Sequence, residues 1–259
     1  MTTETDTTPK AQPAESIPVY TALRYGAGGR AHHWVHAAAM ALFIVSGIQI
    51  HLVNNAAALS TIVPFLTHSD VRLLHILLGI FIGLWDTIYY LGYLSVSGHI
   101  TDIIPTPHEI LDLIAIVLCT LRIWPDSKYP HYGWYDPVKK AHVRKYHPGQ
   151  KMVALGDLGA MVLIGITGIG LAEAQIPGSM GILGILAPLN DVFILPAALL
   201  TLSVPQVIRI FHFCLFVYFA ATTLLHVYLA LIPQNLSKMR GMWLGSERIP
   251  HREYEFHEE

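Results

Sequence analysis

His212 and His226 lie fourteen residues apart in one apolar run, and His33 and His75 lie in two others. An ionisable side chain inside a bilayer is costly and marks function, and imidazole in such a place offers metal ligation or proton transfer. Fourteen residues of α-helix rise about 21 Å and turn to within about 40° of alignment. The two imidazoles of that run therefore look toward nearly the same side, one in each leaflet. With His33 near the start of an outward-running helix and His75 near the start of an inward-running one, His75 meets His212 in the outer leaflet. His33 then meets His226 in the inner leaflet. Two opposed imidazole pairs at two depths are a donor set for two bis-histidine haems. Both axial positions would be filled, which suits electron transfer and not the binding of oxygen or substrate. Any one of these histidines has alternative uses, as a hydrogen-bonded packing residue or as a step on a proton path. His32 and His36 also crowd His33 closely enough to compete with it.

The elements that must hold these residues follow from composition. The chain has 259 residues, 53% hydrophobic and 13% charged, against about 25% charged in a usual globular domain. Its mean hydropathy is +0.47, and a water-facing domain does not tolerate that much apolar surface. A membrane crossing takes roughly 20 mostly apolar residues. Four runs meet that length, starting near Trp34, Arg72, Met152 and Val207. Residues 108–124 are shorter and carry Glu109, Asp112 and Arg122, which predicts an amphipathic helix lying on the surface. Residues 180–203 are long enough to cross but are interrupted by Pro188, Asn190, Asp191 and Pro196, which predicts a surface or re-entrant hairpin.

Lys and Arg collect in cytoplasmic loops. Here they precede the first run (Lys10, Arg24, Arg30), separate the second from the third, and follow the fourth, leaving Arg72 and Arg209 on the opposite side. Both termini are therefore expected on the cytoplasmic side, with four crossings of the membrane. Residues 29–245 read as one four-helix domain between a disordered N-terminal tail, 1–28, and a C-terminal tail, 246–259. The expected class is an all-α membrane protein, a four-transmembrane-helix bundle binding two b haems. The net charge of −2 gives no basis for nucleic-acid binding. Cys119 and Cys214 lie in unrelated apolar runs and form no CxxC motif.

Several motifs of this sequence resemble the cytochrome b (gamma) subunit of membrane-bound formate dehydrogenases, a family shared with the cytochrome b subunits of nickel–iron hydrogenases. They are RAHHW with VSGI in the first run, RLLHILLGIF in the second, KYHPGQKM leading to ITGI in the third, and FH-x13-H followed by VYLA and KMRGM in the fourth. Carried over position by position, the resemblance implies iron ligands at His33, His75, His212 and His226, with His33 chosen over His32 because it precedes Trp34.

It also implies a quinone site, for menaquinone or ubiquinone, near the inner pair. The segment 145–152 would form it, with Tyr146, His147, Gly149 and Gln150 as contacts. His147-Pro148 stand where the formate dehydrogenase pattern has Asn-Ala. The implied partners are an iron–sulfur subunit at the outer face and a molybdenum or tungsten catalytic subunit, or a nickel–iron one. The chain itself would be an electron-transfer subunit with no primary substrate chemistry of its own. Around the ligands, Gly47, Gly79 and Gly168 would let a flat macrocycle approach the backbone or serve helix packing. Arg72 and Arg209, three residues before His75 and His212, would pair with propionates or anchor the interface. Asp86 and Asp157 are candidates for proton delivery to quinone, and Asp86 also for a structural hydrogen bond. A proton-coupled transporter would use the same His and Asp residues without a chromophore.

Overall fold

The structure, a computed structural model, describes residues 19–55, 66–130, 132, 134–136, 141–143 and 145–250. Its long helices are α1 (Ala27–Asn55), α2 (His68–Thr87, continued by a π-helical turn at Ile88–Leu94), α4 (Pro148–Gln175) and α6 (Val204–Leu231). A shorter helix, α3 (Pro107–Thr120), precedes α4. Between α4 and α6 the chain forms a 3-10 stretch, Gly181–Phe193, and then α5 (Ile194–Leu200). Helix α7 (Leu236–Leu244) follows α6.

Local chemistry sets where these helices begin. Thr67 and Asp70 form a reciprocal capping box at α2, and Thr106 and Glu109 another at α3, where Pro107 occupies the first turn. At α4 the cap is His147, whose Nδ1 accepts from the Gly149 N–H while Gln150 Oε1 accepts from the His147 N–H. Each box satisfies amide donors that a helix start leaves without partners.

Side-chain contacts give the directions of the four long helices relative to one another. Ser46 meets His75 and His36 meets Asp86, so α1 and α2 are antiparallel. Thr167 meets His212 and Asp157 meets Tyr218, so α4 and α6 are antiparallel. His33 lies against His226 and His51 against Phe213, so α1 and α6 are antiparallel too. The starts of α1 and α4 and the ends of α2 and α6 therefore share one end of the bundle.

Five helical stretches among the described residues are long and apolar enough to cross a membrane, where the sequence reading expected four. The additional one is Gly181–Leu200. Its path is set by contacts with α4 and α6. The Asn190 carboxamide donates to the Ile166 carbonyl at 3.0 Å, nine residues or about 14 Å below the end of α4. Phe193 then packs on Phe211 with ring centres 5.2 Å apart. Because α6 starts at Val204, at the end where α4 stops, the chain dips beside α4 and returns along the first turns of α6. In the membrane-length windows only 11–17% of residues are buried inside the chain. Leu77, Leu84, Leu163 and Leu224 accordingly face outward, as lipid-facing side chains must.

Two segments assigned to tails are ordered structure. Strand β1 (Val19–Leu23) pairs antiparallel with β4 (Ser246–Pro250), and α1 begins at Ala27. The reason is a buried ion pair that composition does not reveal. Arg24 Nη1 donates to Glu247 Oε1 at 2.7 Å, with side chains 3% and 5% exposed, and Nη2 donates to the Lys145 carbonyl at 3.1 Å. Burial alone would lower the Arg24 pKa, but the neighbouring Tyr25 and the Glu247 carboxylate raise it on balance. A second, shorter ribbon joins β2 (Trp134–Asp136) and β3 (Ala141–Val143).

Candidate functional site

The deeper histidine pair joins all four long helices. His75 on α2 and His212 on α6 face each other with ring centres 6.5 Å apart. Ser46 Oγ on α1 lies 2.8 Å from His75 Nδ1 and also donates to the Leu42 carbonyl at 2.7 Å. Thr167 Oγ1 on α4 lies 2.9 Å from His212 Nδ1 and donates to the Leu163 carbonyl at 2.9 Å. A hydroxyl has one proton. With that proton given to its own helix, each hydroxyl accepts from an Nδ1–H, which leaves each Nε2 as a lone-pair donor. Gly47 and Gly168 follow these hydroxyls in sequence. A Cβ at Gly168 would stand 3.5 Å from His212 Cε1, and one at Gly47 would stand 3.9 Å from His75 Cε1. Ser46-Gly47-Ile48 and Thr167-Gly168-Ile169 are thus two copies of one device. Gly79 lies one turn from His75, nearest Phe43. Arg72 is half-buried and Arg209 exposed, each one turn before its histidine.

At the other depth, His33 on α1 and His226 on α6 have ring centres 6.1 Å apart. His33 is half-buried and His226 exposed. His32 turns the opposite way, its ring stacked on Tyr89 at 3.6 Å, and His36 Nδ1 lies 3.4 Å from Asp86 Oδ1. Neither neighbour of His33 therefore faces His226.

The segment entering α4 places its residues unequally. His147 Nδ1 and the Gly149 N–H satisfy each other, and Gln150 is exposed and committed to the cap. His147 Nε2 points to Tyr129 Oη at 3.4 Å. Burial and the nearby Lys238 charge lower the His147 pKa, so the ring is neutral near pH 7 with its proton on Nε2. Burial also raises the Tyr146 pKa, keeping that phenol protonated, and lowers that of Lys145, whose ammonium lies 5.1 Å from the Tyr146 ring. Asp157 stands in the third turn of α4, deeper than a start near Met152 implied, and accepts from Tyr218 Oη at 2.8 Å.

The spacing of both histidine pairs tests whether the donor set fits a b-type haem. A metal–imidazole bond of about 2.0–2.1 Å on each side, plus about 1.2 Å from nitrogen to ring centre, separates two axial rings by about 6.4 Å. The pairs stand at 6.5 and 6.1 Å. At the His75–His212 pair, glycines beside the rings and hydroxyls that fix the tautomer add to the fit.

A sequence model of the family described as prokaryotic cytochrome b561 matches residues 24–245, a stretch that holds all four helices and both pairs. The chain belongs to the prokaryotic cytochrome b561 family. Comparison with curated proteins and with solved structures found no match. Membership in the cytochrome b561 family gives the chain a membrane cytochrome b role in electron transfer, with b-type haem as its cofactor. The apolar helices agree with a multi-pass membrane protein. The sequence reading missed Ser46 and Thr167. Their signal was present in VSGI and ITGI, a hydroxyl followed by glycine in two helices.

Proposed function

We propose that this chain is the di-haem membrane subunit of a formate dehydrogenase-like complex, passing electrons from an outer-face iron–sulfur subunit to quinone at the cytoplasmic side. His75 and His212 hold one haem and His33 and His226 the other, in a bundle that crosses the membrane four times with both termini inside. The observation that carries this reading is the pair of imidazole pairs at two depths, each at the separation two axial ligands require. When bound, the two haems supply one-electron redox steps without an open coordination site. Ser46 and Thr167 hold the outer rings with Nε2 forward, and Arg72 and Arg209 offer cations one turn above them. His147 Nε2–H and Tyr146 are the donors available to a quinone carbonyl. Asp157 is a carboxyl from which a proton can reach that end of the bundle. A cytochrome b subunit of a nickel–iron hydrogenase or of another molybdoenzyme is the second reading, with the same electron-transfer role, and His147-Pro148 in place of Asn-Ala is where the chain departs from the first.

The test is spectral and stoichiometric. Purified protein should show a reduced b-type band and two haems per chain, and His212→Ala should retain one. No band, or two haems in His212→Ala, refutes the assignment, and absence of a chromophore favours the proton-coupled transporter. A molybdenum or tungsten catalytic subunit that oxidises formate, co-purifying with the chain, supports the first reading, and a nickel–iron subunit or a molybdenum subunit inactive on formate the second.

A further inference from the structure

Asp86, His32 and His36 form a second constellation that haem ligation does not use. His32 and His36 occupy one face of α1 at an i, i+4 spacing, and Asp86 meets them from α2. The ligating atoms of all three lie within 4.8 Å of one another. His36 Nδ1 and His32 Nδ1 stand 3.4 and 3.7 Å from the same oxygen, Asp86 Oδ1. Those separations exceed the usual N–H···O range of about 2.7–3.2 Å. The shorter one matches the edge of a tetrahedron of ligands around a metal, about 3.3–3.4 Å for bonds of about 2.0–2.1 Å, and the longer one stands slightly outside it. The cluster is also short of partners. The Asp86 and His32 side chains are 8% and 10% exposed, yet among the described residues Asp86 Oδ2 and His32 Nδ1 have no hydrogen bond. A buried carboxylate half satisfied among apolar helices is expensive, and a shared cation removes that cost. Tyr89, in the π-helical turn after α2, stacks on His32 and covers the site from that side.

We propose that His32, His36 and Asp86 bind one divalent transition-metal ion, of which Zn2+ is the type. Two imidazoles and a carboxylate suit Zn2+, Cu2+ or Ni2+ and not Mg2+ or Ca2+, which take all-oxygen shells. Three protein ligands leave a fourth position for water. The site lies within the second and third turns of α1, at the end of the bundle that gathers Arg24, Arg30 and Lys145. None of the four histidines of the opposed pairs takes part, so the site is independent of the haem assignment.

Haem-loaded full-length protein, stripped with a chelator, is titrated with ZnCl2 and its retained zinc counted after desalting. One Zn2+ per chain is expected in the wild type. His36→Gln and Asp86→Asn should weaken it by roughly 100-fold, the upper end of what losing even a supporting partner costs, with the haem spectrum unchanged. Wild-type protein that retains no zinc, or variants that bind it as tightly, overturns the proposal. Should a variant lose its haem, one equivalent of Cu2+ on the oxidised wild type decides. Hyperfine coupling to two nitrogens supports the site, and coupling to fewer refutes it.

Discussion

Ser46 and Thr167 each reach an imidazole on a neighbouring helix, His75 and His212. Each hydroxyl accepts from the Nδ1–H of one deep imidazole and returns its own proton to the helix behind it. Removing one leaves that ring free to rotate or to change tautomer. Ser46→Ala or Thr167→Val should weaken haem retention by roughly 10–100-fold and shift the midpoint potential of one haem alone, read by redox titration of the visible bands. Loss of both haems together, or no shift in either, would contradict the role. The four histidines were legible because an imidazole in an apolar run has few uses and helical geometry fixes its depth. The hydroxyls were not, because a mid-helix Ser or Thr ordinarily bonds its own i−4 carbonyl, and these do that as well. Nothing local in VSGI says that a ring from another helix will share the oxygen. His32 and His36 were equally ambiguous beside His33, and only the packing of α1 against α2 turned them away from His226 and toward Asp86.

Among the elements, the short helix α3 and the stretch Gly181–Leu200 make the clearest cases. Helix α3 is pinned to α4 by Glu109 and Lys151, whose charges meet at 2.7 Å with both side chains 10% exposed. Burial would raise the Glu109 pKa, but Lys151 and the Thr106 cap hold it below its ordinary value of 4.5. A lowered folded pKa means stability that is present above about 4.5 and lost as pH falls through the folded value. Thermal unfolding should therefore lose midpoint temperature in acid, and Glu109→Gln should flatten that dependence. At neutral pH Glu109→Gln should cost about 3–5 kcal/mol, because it strands a buried ammonium. The 180–203 run shows what sequence leaves open: its length permits a crossing and its prolines and Asn190 argue against one. Packing supplies what was missing. The Asn190 carboxamide lies against Gly170, and a Cβ there would land on it, so Gly170→Ala should detach the hairpin at a cost of about 1–3 kcal/mol. Single cysteines at 179 and 203, placed in a chain without Cys119 and Cys214, should label from the same face of sealed vesicles. Labelling from opposite faces would make Gly181–Leu200 a fifth crossing.

For the molecule as a whole, the consequence is electrical. His212 and His226 are fourteen residues apart on α6, about 21 Å of helix, in a hydrocarbon core about 30 Å thick. An electron passed from the outer pair to the inner one therefore crosses about two-thirds of the membrane field, taken as uniform. At about 2.3 kcal/mol per charge per 100 mV, an inside-negative potential of 100 mV opposes that transfer by about 1.6 kcal/mol. Since about 1.4 kcal/mol is a factor of ten, the reduced fraction should move from the inner to the outer haem by roughly 15-fold. Proteoliposomes poised at fixed ambient potential, with a potassium gradient and valinomycin setting the voltage, read this from the two visible bands. The orientation enters through the sign. Arg24, Arg30, Lys145 and Lys151 share the end of the bundle where α1 and α4 begin, while Arg72 and Arg209 lie at the other. On the proposed orientation, which the positive-inside bias supports, His33 and His226 are the cytoplasmic pair. In vesicles of native orientation, inside-negative voltage should oxidise that pair and reduce the other. A redistribution of opposite sign would mean that the chain is inserted the other way, and none at all that the two pairs lie at the same electrical depth.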